Sequence, residues 1–279
     1  ATRLRLPMGV VGAVVLGFGT SMPEMLTSVS AALAGAPGIA IGNVLGSNIA
    51  NILLILGLAA VIAPVPAKGS AGEDWVWLAL ATALGVAVIV LGPSVGRGEG
   101  AIMLGALAIY LWRALSQDAA VDPVPSVAGM SALGIGTLLG LGLVALIGGA
   151  WLLVQGATGI ARALGVGETV IGLTIVAVGT SLPELATSVI AARRGQAGLA
   201  LGNVLGSNVF NMLAILGLTA MIVPIPVPPG LSPVDLMVVA GSAALLLAVL
   251  VRGQITRAIG ARFLGLYAGY VGWLALSVA

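Results

Sequence analysis

The sequence predicts an all-α membrane protein built from two inverted-topology repeats of five transmembrane helices, with the first helix absent and about nine spans present. Of its 279 residues, 59% are hydrophobic and only 7% are charged, whereas a soluble domain carries about 25% charged residues. A segment that begins at Gly19 returns at Gly179, and a second that begins at Gly42 returns at Gly202. The repeat returns after an odd number of spans, so one copy is inverted relative to the other.

The internal repeat holds without a gap at a spacing of 160 residues. From Gly17 to Gly57, 25 of 41 aligned positions are identical between the copies. The first copy contains G-T-S-M-P-E and G-N-V-L-G-S-N, and the second contains G-T-S-L-P-E and G-N-V-L-G-S-N. Biased composition could explain the shared glycines and alanines, but it does not readily explain shared Glu, Pro, Ser, Thr and Asn.

Nine stretches are long and apolar enough to cross a bilayer, which takes about 20 residues. They lie at roughly 8–34, 38–62, 75–92, 99–116, 129–160, 168–192, 198–222, 233–251 and 258–277. The first half is residues 1–116, the linker is 117–128, and the second half is 129–279. The span of Glu24 and the span of Glu184 are five apart, so the two copies insert in opposite orientations.

The two halves are unequal in length. The second half has a span, at about 129–160, that precedes the Glu184 span and has no counterpart before Glu24. Either the native chain starts earlier and its first helix is absent here, or the protein has nine spans. We favour the first explanation because it restores five helices to each half.

The basic residues predict the orientation of the chain. If successive spans alternate, one side of the membrane receives nine basic residues and the other receives two. The first group is Arg3, Arg5, Lys68, Arg113, Arg193, Arg194, Arg252, Arg257 and Arg262, and the second is Arg97 and Arg162. Because cytoplasmic loops carry the excess of Lys and Arg, we expect a multi-pass protein of the cell inner membrane with its C-terminus outside.

The composition excludes several classes of function. The chain contains no Cys and no His, so disulfides, thiolate nucleophiles, cysteine metal ligands and the usual near-neutral base are absent. An intramembrane enzyme is therefore disfavoured, and no cofactor is expected. The net charge of +2 reflects loop asymmetry and predicts no nucleic-acid partner. The lipid bilayer is the expected surrounding, and the chain is expected to work as a monomer.

Glu24 and Glu184 lie inside apolar spans at matched positions of the repeat. An intramembrane carboxylate is energetically costly and usually functional, and matched carboxylates in a duplicated chain predict a transport site where the repeats meet. Pro23 and Pro183 precede them and lack an N–H, so each helix is expected to be broken or kinked. Broken helices at membrane depth are tolerated where they line a cavity. The alternative is a purely structural role for the two carboxylates.

Hydroxyl and amide side chains recur around these glutamates at intervals of three and four residues, which places them on shared helical faces. The first copy supplies Thr20, Ser21, Ser28, Asn43, Ser47 and Asn51, and the second supplies Thr180, Ser181, Ser188, Asn203, Ser207 and Asn211. All are hard oxygen donors, which suit Ca²⁺ or Na⁺ better than zinc or copper. For Thr27, Thr187, Asn48 and Asn208, packing between helices is an equally good interpretation.

The charge of the predicted site limits what it can bind. Two ionised glutamates are neutralised by one Ca²⁺ or two Na⁺, and a third Na⁺ leaves one net positive charge. An exchange of three Na⁺ for one Ca²⁺ would therefore move charge across the membrane. When no cation is bound, the carboxylates are expected to take up protons, because a dry environment disfavours their charged form.

At these residues the chain resembles the cation/Ca²⁺ exchanger superfamily, specifically the prokaryotic Na⁺/Ca²⁺ exchangers. The segments G-T-S-x-P-E and G-N-V-x-G-S-N-x-x-N resemble the two α-repeats of that family. The resemblance implies ten helices in two inverted halves, with a central site formed by the second, third, seventh and eighth helices. The family's first helix, thought to slide with its sixth, has no counterpart here, so a chain lacking it is expected to bind ions yet transport poorly.

The resemblance also implies roles for twelve residues. Glu24 and Glu184 would be carboxylates shared by Ca²⁺ and Na⁺. Hydroxyls and carbonyls would come from Thr20, Ser21, Thr180 and Ser181, the flanking Na⁺ positions from Ser47, Ser207, Asn51 and Asn211, and outer carbonyls from Gly17 and Ala177. Some relatives carry Asp where Asn211 stands. Here Asn51 is matched by Asn211, which leaves two carboxylates and weighs against K⁺ co-transport.

Three functions follow from these patterns. The leading one is a secondary antiporter that exchanges Na⁺ for Ca²⁺ at a midplane site. The nearest alternative is a Ca²⁺/H⁺ antiporter, with the glutamates as proton carriers. The additional Ser and Asn residues favour Na⁺, because Na⁺ needs several oxygen ligands and a proton does not. A passive cation channel is the third, but inverted repeats around a midplane site favour alternating access.

Overall fold

The computed structural model describes residues 17–66, 74–116 and 131–278, which are mostly helical. The first half contains α1 (Gly17–Thr20), α2 (Met22–Leu33), α3 (Pro37–Ile62), α4 (Asp74–Leu91) and α5 (Arg97–Ser116). The second half contains α6 (Ala132–Ala163), α7 (Glu168–Thr180), α8 (Leu182–Arg193), α9 (Ala197–Ile222), α10 (Pro233–Leu250) and α11 (Arg257–Val278). Four strands of two residues each are β1 (Val65–Pro66), β2 (Ser94–Val95), β3 (Ile225–Pro226) and β4 (Gln254–Ile255).

The helices agree with the predicted spans within a few residues. Among the described residues, six helices are long and apolar enough to cross a membrane, namely α3, α4, α5, α9, α10 and α11. The pair α7 and α8 adds a seventh span if it is counted as one helix bent by 47°. Helix α6, with 32 residues, occupies the predicted fifth span. The prediction of an all-helical membrane protein is confirmed. The predicted linker and the predicted start of the first span lie outside the described residues.

The short strands extend the repeat beyond the aligned motifs. β1 and β3 are 160 residues apart, and so are β2 and β4. β1 pairs with β4 in the register Val65↔Ile255, and β2 pairs with β3 in the register Val95↔Ile225. Each pairing becomes the other when residues are exchanged for their equivalents in the other half. Contacts that exchange in this way indicate a two-fold axis between the halves.

The strand pairs also establish the inverted orientation of the halves. Helix α4 lies between β1 and β2, and its 18 residues separate the two strands by roughly 27 Å at 1.5 Å per residue. The β1–β4 pair and the β2–β3 pair are therefore at opposite ends of the helices. Because β1 and β3 are equivalent in the two repeats yet lie at opposite ends, the repeats are inverted, as the sequence predicted.

Glycines bring helices of different halves into close contact. A Cβ atom added at Gly46 of α3 would lie 2.5 Å from the carbonyl oxygen of Leu173 and 2.7 Å from the Cβ of Ala177 in α7. The equivalent contact in the other half, between Gly206 and Gly17, is also close. A Cβ atom added at Gly17 would lie 3.0 Å from the carbonyl carbon of Gly206. Larger side chains would separate the helices that carry the two motifs, so these glycines set the spacing between the halves.

Within the described residues, helices α3, α7 and α9 each contain a π-helical segment. Two of these segments, Ala50–Leu56 in α3 and Asn211–Ile215 in α9, occupy equivalent positions of the repeat, and the third is Gly172–Val176 in α7. π-Helical turns are rare and occur frequently at functional sites. Asn51 and Asn211, both predicted as site residues, lie in the equivalent segments.

Candidate functional site

The helices that carry the two motifs are broken where the prolines predicted a break. Ser21 lies between α1 and α2 with φ −81° and ψ 6°, and Ser181 lies between α7 and α8 with φ −83° and ψ 9°. A proline occupies the first turn of the helix that follows in each case, where its missing N–H costs nothing. The break places a serine between two helical pieces, with the glutamate one turn further along.

Hydrogen bonds between the halves join the two motifs. The Ser21 hydroxyl donates to Glu184 Oε1 at 3.0 Å, and the Ser181 hydroxyl donates to Glu24 Oε1 at 2.8 Å. Both glutamates are fully buried, with 0% of each side chain exposed. Each serine therefore holds the glutamate of the opposite half, and the two carboxylates lie in one buried site where the halves meet.

The second oxygen of each glutamate is free. Glu24 Oε2 and Glu184 Oε2 are buried and have no hydrogen-bond partner among the described residues, and the same is true of Asn51 Oδ1 and Asn211 Oδ1. Burying an unpaired carboxylate is costly unless a cation or a proton neutralises it. The arrangement thus leaves four oxygens, from α2, α3, α8 and α9, able to coordinate a cation.

A third buried carboxylate shows the contrast with a structural role. Asp235, 1% exposed, lies in the first turn of α10. Its Oδ1 accepts the Tyr270 hydroxyl at 2.8 Å, and its Oδ2 accepts the Ser232 N–H at 2.9 Å. Ser232 and Asp235 form a capping box at the start of α10. Both oxygens of Asp235 are used within the protein, whereas each glutamate keeps one free.

The other predicted ligands line the same buried region. The Ser207 hydroxyl donates to Glu184 Oε1 at 3.5 Å, and the Ser47 hydroxyl donates to the Ala177 carbonyl at 3.4 Å. The Gly17 carbonyl accepts the Ser21 N–H at 3.1 Å. All twelve predicted residues are buried: Gly17, Thr20, Ser21, Glu24, Ser47, Asn51, Ala177, Thr180, Ser181, Glu184, Ser207 and Asn211.

Asn43 and Asn203 are more central than the predicted ligand set implied. The sequence placed both among the hard oxygen donors on the polar helical faces, but the twelve residues implied by the resemblance did not include them. In the structure the Thr180 hydroxyl donates to Asn43 Oδ1 at 3.0 Å, and the Thr20 hydroxyl donates to Asn203 Oδ1 at 3.4 Å. The signal for their role was present in their exact repetition at the 160-residue spacing.

The two halves differ at one pair of asparagines. Asn51 Nδ2 donates to Asn208 Oδ1 at 3.0 Å. The equivalent bond would run from Asn211 Nδ2 to Asn48 Oδ1, but both of these atoms lack a partner within the described part of the chain. Identical residues thus adopt different arrangements in the two halves.

Two inverted helical halves with buried carboxylates where they meet define the class of secondary transporters. The sequence matches the family described as sodium/calcium exchanger protein over residues 1–116 and 134–276. The chain therefore belongs to the sodium/calcium exchanger family, and it is a multi-pass membrane protein of the cation/Ca²⁺ antiporter type. Two of the relatives described next, MaX1 and NCX_Mj, are named as exchangers.

Individual relatives cover most of the chain. The sodium/calcium exchanger MaX1 of Methanosarcina acetivorans is 32% identical over 270 residues, which span 81% of this chain and 77% of MaX1. The inner membrane protein YrbG of Escherichia coli is 32% identical over 235 residues, 80% of this chain and 72% of YrbG. A structure of the sodium-calcium exchanger NCX_Mj soaked with Na⁺ and Sr²⁺ superimposes with a TM-score of 0.79 and 35% identity, covering 98% of this chain and 89% of that one.

Proposed function

We propose that the chain is a secondary active antiporter that exchanges Na⁺ for Ca²⁺ by alternating access at a midplane site containing Glu24 and Glu184. One observation carries the proposal. Each glutamate is fully buried, is held at Oε1 by a serine of the other half, and keeps Oε2 without a partner among the described residues. Two such carboxylates need compensating positive charge, and transported cations supply it.

The chemistry of the surrounding ligands favours hard cations. Ca²⁺ takes six to eight oxygen ligands, and the two glutamates are surrounded by neutral hydroxyls, amides and carbonyls. Two negative charges balance one Ca²⁺ or two Na⁺. Because Asn51 and Asn211 are neutral, a third Na⁺ would find oxygen ligands but no third negative charge. The proposed cycle therefore exchanges three Na⁺ for one Ca²⁺ and moves one net charge.

Coupling to Na⁺ rather than H⁺ is supported by the same ligands and by the relatives. A proton carrier needs the carboxylates alone, whereas this site adds hydroxyls and amides at matched positions of both halves. MaX1 and NCX_Mj are both named as sodium/calcium exchangers. A Ca²⁺/H⁺ antiporter remains the second candidate, because each free glutamate oxygen could carry a proton.

A flux measurement separates the two coupling ions. We expect purified protein in Ca²⁺-loaded vesicles to release Ca²⁺ when Na⁺ is supplied outside, since Na⁺ and Ca²⁺ compete for the same two carboxylates. A pH gradient without Na⁺ should cause little release. Ca²⁺ release that follows the pH gradient and does not respond to Na⁺ would establish the proton-coupled alternative instead. Vesicles without protein give the baseline rate of Ca²⁺ leakage.

The proposed orientation places the β1–β4 end of the helices in the cytoplasm, in an inner membrane like that of YrbG. Arg252 and Arg257 flank β4, whereas Arg97 follows β2 at the opposite end. Cytoplasmic loops carry the excess of basic residues. Helix α11 starts at the cytoplasmic end, so its C-terminal end is outside. The protein is proposed to act as a monomer.

Because these 279 residues contain no cysteine, single cysteines introduced into them test this orientation. Ser277→Cys, near the end of α11, is expected to react with a membrane-impermeant maleimide in intact cells. Gln254→Cys, an exposed position in β4, is the matched control and should react only after the membrane is permeabilised. The reverse pattern of labelling would invert the orientation.

A further inference from the structure

Asn43 is a fully buried amide whose polar atoms are all hydrogen-bonded. Its Nδ2 donates to the Glu24 carbonyl at 3.1 Å and to Ser28 Oγ at 2.8 Å. Its Oδ1 accepts the Thr180 hydroxyl, which belongs to the other half, at 3.0 Å. Donors and acceptor are both engaged, so the orientation of the amide is fixed. One rigid planar group therefore joins the glutamate helix of its own half to the threonine of the other.

The same arrangement occurs a second time in the other half. Asn203, also 0% exposed, donates from Nδ2 to Ser188 Oγ at 3.1 Å and to the Glu184 carbonyl at 3.5 Å. Its Oδ1 accepts the Thr20 hydroxyl at 3.4 Å. Because the arrangement occurs twice, on different helices, the connection between the halves is a specific feature of the site.

We propose that Asn43 and Asn203 are positioning residues that set the geometry of the cation site through Thr180 and Thr20. The inference rests on the proposed function, in which Thr180 and Thr20 are ligands. Both asparagines use their polar atoms within the protein, so they act on an ion only through the groups they hold. Side chains that hold a ligand in place commonly affect metal affinity as strongly as some ligands do.

The threonine bonds explain how the effect reaches the ion. The Thr180 hydroxyl has one hydrogen and three acceptors within reach: Asn43 Oδ1 and the Val176 carbonyl at 3.0 Å, and the Ala177 carbonyl at 3.3 Å. With its hydrogen directed to these acceptors, its oxygen lone pairs remain available to a cation. Removing the Asn43 amide breaks the link that runs from the Thr180 hydroxyl through Asn43 to the Glu24 carbonyl. The bonds from Thr180 to Val176 and Ala177, which lie within its own helix, are kept.

A double-mutant cycle tests the inference. Ca²⁺ affinity is measured by calorimetry on purified wild type, Asn43→Leu, Thr180→Val and the double variant. Each single change is expected to weaken Ca²⁺ binding about tenfold. The double variant should be less than about twofold weaker than the single ones, because residues that act through one contact are not additive. The matched control pairs Asn203→Leu with Thr180→Val, which share no hydrogen bond, so their effects should multiply.

Melting curves and Ca²⁺ binding by Glu24→Gln complete the test. Melting of the ion-free variants shows whether they fold, and if Asn43→Leu does not, the cycle of Asn203→Leu with Thr20→Val replaces it. Unchanged Ca²⁺ affinity in folded Asn43→Leu, or effects that multiply in the contacting pair, would overturn the positioning role. Wild type that binds no Ca²⁺, or Glu24→Gln that binds it normally, would refute the proposed function instead.

Discussion

Glu24→Gln and Glu184→Gln are each expected to abolish Ca²⁺ exchange. Glutamine keeps the Oε1 acceptor for the serine of the other half, Ser181 or Ser21, so the helices should still meet. The lost charge leaves a single carboxylate, which cannot neutralise a divalent ion in a buried site. Because ligand charge governs Ca²⁺ affinity over several orders of magnitude, we expect the affinity to fall by about 100-fold or more. Ca²⁺ flux into vesicles and calorimetry measure the two effects.

Glu168→Gln is the matched control for these variants. Glu168 begins α7, the helix before the Ser181 break, but its side chain is 45% exposed and pairs with Arg162 at 3.1 Å. An exposed ion pair contributes little, so Ca²⁺ flux should be close to that of wild type. Near-normal flux in Glu24→Gln or Glu184→Gln would contradict the central role of the buried carboxylates.

Exchange is also expected to depend on membrane potential. If three Na⁺ enter for each Ca²⁺ that leaves, one net charge crosses per cycle. Each 100 mV then contributes about 2.3 kcal/mol to the driving force, which corresponds to a shift of roughly 50-fold in the ion ratio at equilibrium. An inside-negative potential should therefore drive Na⁺ entry and Ca²⁺ extrusion.

The potential is imposed with a K⁺ gradient and valinomycin in vesicles that carry a fixed Na⁺ gradient. Setting the K⁺ concentrations equal on both sides gives the control at zero potential. Ca²⁺ flux that is the same at both potentials would mean electroneutral exchange, and the stoichiometry of three to one would be wrong. The site containing the neutral residues Asn51 and Asn211 would then bind only two Na⁺ for each Ca²⁺.

The repeat made much of the site predictable from sequence. Glu24 and Glu184 stand out because a carboxylate inside an apolar span is costly and each is preceded by a proline. The breaks at Ser21 and Ser181 follow from those prolines. The inverted orientation follows from counting spans, and the strand pairs agree with it. These features depend on local chemistry and on chain length, both of which the sequence contains.

Pairing between the halves could not be predicted in the same way. Ser21 is three residues from Glu24, yet its hydroxyl bonds Glu184, because helix packing and not sequence distance selects the partner. The contact of Asn43 with Thr180 could not be predicted for the same reason, since it crosses between halves. The strands β1 to β4 have two residues each, too few for a periodic pattern.

The asparagine pairs show a second limit. Asn48 and Asn51 occupy the same repeat positions as Asn208 and Asn211. The sequence therefore predicts the same surroundings for both pairs. The structure bonds Asn51 to Asn208 and leaves Asn211 without a partner among the described residues. In the proposed alternating-access cycle the two halves exchange roles, so a difference of this kind belongs to one conformation and not to the sequence.

The most direct test of the account is the location of the transported ions in crystals of the protein. Soaked with Ca²⁺, the crystals should show one ion bonded to Glu24 Oε2 and Glu184 Oε2 at about 2.4 Å. Transfer to Na⁺ without Ca²⁺ should replace that ion by Na⁺ at the same carboxylates and the flanking serines and asparagines. Ca²⁺ bound elsewhere, or retained unchanged in high Na⁺, would contradict exchange at a two-glutamate site.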